Sequence, residues 1–172
     1  MLARMRTRNI VGLVGCLAIM PLLATPVGAA RQDKSFISSA LQDVADMQTL
    51  AGLAQKKIAD GRIRDFARTI SDAATSAGGT LTPLARRDAV KPPGSLSIRA
   101  TDQFARIGAQ SGKDAADEFL RDIAIDARIS QDDYTSEAQS GNDATLKRLA
   151  AQRAGDLERI ARRADSLRGS LR

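Results

Sequence analysis

The amino-acid sequence predicts an all-α protein, and three observations carry that prediction. Apolar residues recur at three-and-four spacing through most of the chain. Strand-favouring residues are scattered instead of clustered, with four Phe, one Tyr and no Trp in 172 residues. The composition is rich in Ala, Arg, Asp, Leu and Ser, which suits helices packed through small side chains. The length is that of one domain.

The first thirty residues read as a targeting segment, which leaves 31–172 as the helical bundle domain. MLARMRTRN carries Arg4, Arg6 and Arg8, IVGLVGCLAIMPLLA is an apolar run too short for a comfortable bilayer crossing, and TPVGAA supplies small residues before RQDK. This is the pattern of a secretory signal peptide cleaved after Ala30 or Ala29, and it predicts a periplasmic or secreted protein. A competing reading takes Leu13-Val14-Gly15-Cys16 as a lipoprotein box with Cys16 acylated. Against it, the apolar run continues beyond Cys16, where such segments turn polar.

The helices follow in order. Ile37, Leu41, Val44, Met47, Ala51, Ala54 and Ile58 line one face of a first helix, and Ala59-Asp60-Gly61 stops it, with Gly61 suited to a left-handed position. The stripe resumes as Ile63, Phe66, Ile70, Ala74, Ala77, Leu81 and Leu84, so a second helix must run back antiparallel to the first. Gly78-Gly79 and Pro83 predict a kink or break at its far end. DAVKPPGSL, residues 88–96, is a Pro-rich crossover loop. Ser97 can cap a short extra helix through about Gln110 that buries Ile98, Phe104 and Ile107. Ser111-Gly112 breaks it. A further helix points Phe119, Leu120, Ile123, Ala127 and Tyr134 inward and ends near Ser140-Gly141. Asn142 or Asp143 then caps a last helix with the stripe Leu146, Leu149, Arg153, Leu157, Ile160, Ala164, Leu167 and Leu171. Arg153 is the one polar intrusion, expected to snorkel with its stem over the bundle.

DKSFISSALQDVADMQTLAGLA, RDFARTISD, the Pro-containing crossing, EFLRDI and GNDATLKRLAAQRAGDLERIA together resemble a bacterial family of exported, ferritin-like four-helix proteins known as a domain of unknown function. The resemblance spans residues 33–168. It implies an antiparallel ferritin-like four-helix bundle, and a periplasmic or envelope setting. Many members carry a glutamate in the first helix, an Asp-His pair late in the second and histidines in later helices. Those positions fall here on Met47, Ala73-Ala74 and Ile160, so the resemblance implies a metal centre whose usual ligands this chain has replaced.

Side-chain chemistry narrows the function further. The chain has no His, and its one Cys lies in the signal segment, so a mature chain offers no Cys/His zinc site, no thiol nucleophile and no Ser-His-Asp triad. No cofactor or enzyme is predicted. Glu118, Asp122 and Asp126 share a helix edge at spacing four, as do Asp133 and Glu137. Oxygen-only ligands of this kind suit a hard cation, but a solvated acidic edge is the expected state. GAQSGKD, residues 108–114, has three residues between its glycines where a P-loop needs four, and Asp114 where that motif needs Ser or Thr, so it reads as a turn.

The charge pattern suggests where a partner could sit. Removing three arginines from 26 basic residues leaves 23 against 20 acidic, a net of +3. Residues 114–142 carry two basic and eight acidic side chains and 143–172 carry eight and four, which predicts an acidic helix lying beside a basic one. Arg148, Arg159, Arg162 and Arg163 form a candidate anion-contacting patch. With no aromatic side chain among them, nucleic acid is not expected. The leading expectation is therefore an exported envelope bundle with a non-catalytic interaction or scaffolding role toward an unknown envelope protein, with stress tolerance as one setting for that role. The alternatives are an anionic membrane-surface or polyanion binder working through the last helix, and a ferritin-like metal-binding protein.

Overall fold

A computed structural model describes residues 27–171. Among them are five α-helices and no strand: α1 Val27–Lys57, α2 Gly61–Arg87, α3 Ile98–Ala109, α4 Gly112–Ser140 and α5 Ala144–Gly169. Most of the predicted signal segment, with Cys16, lies outside the described residues, and the expected cleavage point falls within the start of α1.

Each long helix exists because its apolar stripe finds cover. Ile37, Leu50, Ala54, Ile63, Ile70 and Leu81 are buried along α1 and α2, and Phe119, Ile123, Leu146 and Leu157 along α4 and α5. α1 packs on α2, α4 on α5, α1 on α4, and α2 more sparsely on α5. At one end Asp33, near the start of α1, accepts backbone N–H groups from Asn142 and Asp143, both at 3.1 Å. Asp143 caps α5 by accepting from Thr145 and Leu146, and also accepts from Arg87 at the end of α2. One carboxylate-rich junction thus ties the α4–α5 link to both α1 and α2. At the other end Lys57, closing α1, donates to the carbonyl of Gly108 in α3. The chain therefore runs up α1, down α2, back up through the crossover and α3, down α4 and up α5.

Several local expectations need correction. Gly61 does not take the left-handed position. It opens α2, and Asp60 caps that helix by accepting from the Arg62 N–H at 2.8 Å. The left-handed glycine is Gly112 (φ 55°), where α3 turns into α4, so the P-loop-like stretch is a helix–helix turn. Pro83 does not break α2. It lies on the exposed side with Gly79, whose carbonyl loses its intrahelical donor, so water can satisfy that carbonyl while Leu81 and Ala85 stay buried. Gly78 matters for a different reason. A Cβ there would meet Val44 Cγ1 at 3.3 Å, so the missing side chain lets α1 and α2 approach closely.

α3 departs furthest from its reading. Ser97 caps it as expected, accepting from Ala100 N–H at 3.1 Å, and Ile107 is fully buried. Ile98, however, is 85% exposed and Phe104 40%. The helix is held instead by charge. Arg106 reaches Glu118 and Asp122 of α4 at 2.8 and 2.9 Å, while Arg99 and Gln103 reach Asp126 at 3.1 and 2.8 Å. The predicted solvated acidic edge is therefore an interface, and Asp122 is buried beneath α3. The acidic α4 does lie beside the basic α5, with Arg168 on Asp117 at 2.8 Å and Arg128 on Asp165.

Candidate functional site

The sparse α2–α5 contact leaves a cleft. Ala73, Ser76 and Thr80 of α2 face the N-terminal half of α5, and these short side chains do not fill the space between the helices. The cleft has two hollows, of about 530 and 240 Å3, which share Ala73 and Asp156 as a common neck. Phe66 and Ile160 form the apolar wall of the larger hollow, and Arg62, Arg159 and Arg163 stand around it. Gln152, Leu149, Thr80 and Arg153 line the smaller one.

Arg153 is the unusual member. It is 4% exposed, so the snorkelling expectation is wrong: the guanidinium goes inward. Its Nη2 lies 3.9 Å from Met47 Sδ across the bundle, and its Nη1 has no hydrogen-bond partner. A charged group held away from water without a counter-charge is costly, so its neighbours matter. Tyr134, edge-on to Phe36 with ring centroids 5.0 Å apart, sits close by. Burial pushes the Tyr134 phenol up, the Asp43 charge pushes it further, and Arg153 opposes both.

A second cleft of about 380 Å3 opens between α1, α3 and α4, lined by Asp43, Asp46, Gln103, Asp126, Ile98 and Ile129. Desolvation raises Asp43 to about 6, against a stabilising hydrogen bond from Ser130, with Asp133, Asp46 and Asp126 adding repulsion. Asp126 is raised too, mainly by burial and in spite of Gln103 and Arg99. Asp46 accepts from Ser97 N–H and from Gln42, at 3.1 and 2.9 Å. Among the described residues, no three potential metal-ligating side chains converge closely enough to hold an ion.

The four arginines of the predicted anion patch have different fates. Arg159 pairs with Asp156 and Arg162 with Glu158, within α5 itself. Arg148 and Arg163 are exposed and make no ion pair among the described residues. Arg159 and Arg163 face the α2–α5 cleft, and Arg148 and Arg162 do not line it.

A family model for a domain of unknown function, DUF4142, matches residues 21–167. The chain belongs to the DUF4142 family. No curated protein and no solved structure matches it. In this DUF4142 member, the positions that the resemblance assigned to metal ligands are occupied by packing side chains. Met47, Ala74 and Ile160 are 3%, 0% and 6% exposed, and Ala73 forms the neck of the cleft. The cleft itself was not anticipated. Its one legible signal was Arg153, since an arginine at a stripe position is either a snorkel or a buried charge, and the spacing does not distinguish them.

Proposed function

We propose that this chain is an exported, ferritin-like bundle of the bacterial envelope that works by binding, without catalysis and without a metal centre. The up-down-down-up course with one long crossover supports the ferritin-like reading, because that is the connectivity by which such bundles differ from simple up-down ones. The observation that carries the functional reading is the guanidinium of Arg153 beside Met47, the position that the resemblance gives to a ligating glutamate. A fixed positive charge there repels a cation, and the low dielectric of the core strengthens the repulsion. The basic-then-apolar N-terminal sequence supports export.

Three measurements test the reading together. Intact mass of protein purified from the envelope should place the N-terminus at or next to Arg31 with no lipid. Elemental analysis of the same material, prepared without chelator, should find far less than one iron, manganese or zinc per chain. Stoichiometric metal would restore a ferritin-like metalloprotein, and a lipidated Cys16 would move the protein to a membrane surface. Crosslinking in the native envelope should recover one reproducible protein partner. The alternative, docking on anionic lipid through the last helix, has less support because Arg159 and Arg162 are already engaged by Asp156 and Glu158.

A further inference from the structure

We propose that Glu137 and Asp33 form a proton-operated latch, closed in acid, that fastens the start of α1 to the link between α4 and α5. The latch depends on neither export nor a ligand. Both side chains are buried, at 3% and 7% exposure, and their carboxyl groups hydrogen-bond each other. Two carboxyl groups can share such a bond only while one of them keeps its proton, because an ionised carboxylate has nothing to donate. Asp33 accepts the backbone N–H of Asn142 on one oxygen and that of Asp143 on the other, so the proton belongs to Glu137. No N–H or O–H of the protein reaches Glu137 Oε1 to support an anion there. The Glu137 O–H is the donor that closes the latch.

Loss of that proton leaves two like charges within hydrogen-bond reach of each other and shielded from water. The surrounding charges do not compensate. Asp143 in the link adds negative charge, as does Asp133 one turn earlier on α4, beside the same small hollow as Glu137. Lys147 of α5 opposes them but already donates to the Gln139 carbonyl, and Arg87 of α2 is taken by Asp88 and Asp143. Burial first, and the Asp33 charge second, raise Glu137 above the ordinary 4.5. The contribution of the latch is therefore complete below 4.5 and is lost as pH rises through the folded value. Packing decides which side gives way. Glu137 Oε1 lies so close to Gly141 that a methyl group there would clash, which confines the glutamate. α1 is freer: among its described side chains, Gln32 on Ser140 at 3.1 Å and Asp33 are the hydrogen-bonded ties ahead of the first buried apolar residues, Phe36 and Ile37. Phe36, edge-on to Tyr134, marks where the opening stops.

The amides of Asn142 and Asp143 report the latch directly, because both donate to Asp33. Their hydrogen exchange, measured by NMR on the protein in the form the cell produces and corrected for the intrinsic pH dependence of exchange, tests the proposal. Between about pH 4.5 and 7.5 their protection should fall at least about threefold, while amides around Phe119 and Ile123 lose less. Glu137→Gln keeps a donor facing Asp33 and cannot titrate, so protection in that variant should stay high across the range. Glu137→Ala removes the donor and should leave both amides poorly protected at every pH. A carboxyl carbon-13 titration of Glu137 should show its inflection above 4.5, moved down in Asp33→Asn. Unchanged protection in the parent protein would mean that Glu137 ionises without releasing Asp33 and would overturn the latch. The same fall in Glu137→Gln would also overturn it, by assigning the opening to another group.

Discussion

Asp43 shows how one carboxylate can set the pH response of the fold. Its value of about 6 in the folded chain exceeds the ordinary 3.8, so the folded state holds a proton that the unfolded chain has released between those limits. Stability therefore rises as pH falls from 7 through 6 toward 4. Asp126 and Glu137, both raised mainly by burial, act in the same direction. Asp60 and Asp143 act in the opposite direction. Arg62 for the first, and the N–H groups of α5 with Arg87 for the second, hold their carboxyls below the usual range, so the stability they contribute is lost as pH falls below about 4. The optimum should lie in mild acid. The shift of about 6 − 3.8 caps the Asp43 contribution near 3 kcal/mol, and water access at this half-buried site reduces it to roughly 1–2. Asp43→Asn should be more stable than the parent at pH 7 by that amount, with a flatter profile between pH 4 and 6, as read by thermal melts across the range. An unchanged profile would assign the response to Asp126 or Glu137.

Helix α3 is the element most dependent on its neighbours. Its twelve residues are short for an isolated helix, and Ile107 and Ala100 are its only fully covered apolar side chains. Arg106 therefore has more influence than an exposed arginine usually does, because it bridges Glu118 and Asp122. Arg106→Ala should lower overall stability only slightly, because the guanidinium is half exposed. Hydrogen exchange should report the change more sharply. Amides of α3 should exchange several-fold faster, and those of α1 and α5 should not change. Uniform acceleration across the molecule would mean that α3 belongs to the cooperative core. The α4–α5 link behaves differently, since its constraint is steric. A Cβ on Gly141 would fall 2.2 Å from Glu137 Oε1 and 2.6 Å from the Glu137 carbonyl oxygen, which leaves room only for glycine.

Across the whole molecule, one core joins all four long helices. Leu41, Phe66, Phe119, Ile123 and Leu157, chosen from periodicity as a shared interior, all belong to it. Phe119→Ala and Leu157→Ala should each cost about 2–5 kcal/mol, because both sites are almost fully covered. Ile98→Ala, at a residue the stripe also assigned to the interior, should shift stability by less than about 0.5 kcal/mol. Urea titration of the three variants compares them directly. A large effect at Ile98 would mean that its exposed face is covered by a partner in solution.

Local chemistry was enough to determine the helical class, the inward face of each long helix, the Pro-rich break before Ser97 and the cap at Ser97, and to narrow the cap of the last helix to Asn142 or Asp143. Those features depend on residues within a few positions of one another, through backbone propensity, capping bonds and a period of 3.6. The tertiary structure alone decided how α3 is held, whether Pro83 breaks α2, and what happens to Arg153. A stripe says which face of a helix avoids water but not which helix covers it. The edge formed by Glu118, Asp122 and Asp126 is identical in sequence whether water or the arginines of α3 meet it. Arg153 sits on the same α5 stripe as Leu157, and only the packing of the bundle, which brings its Nη2 to Met47 Sδ and leaves its Nη1 unpartnered, makes it a buried charge.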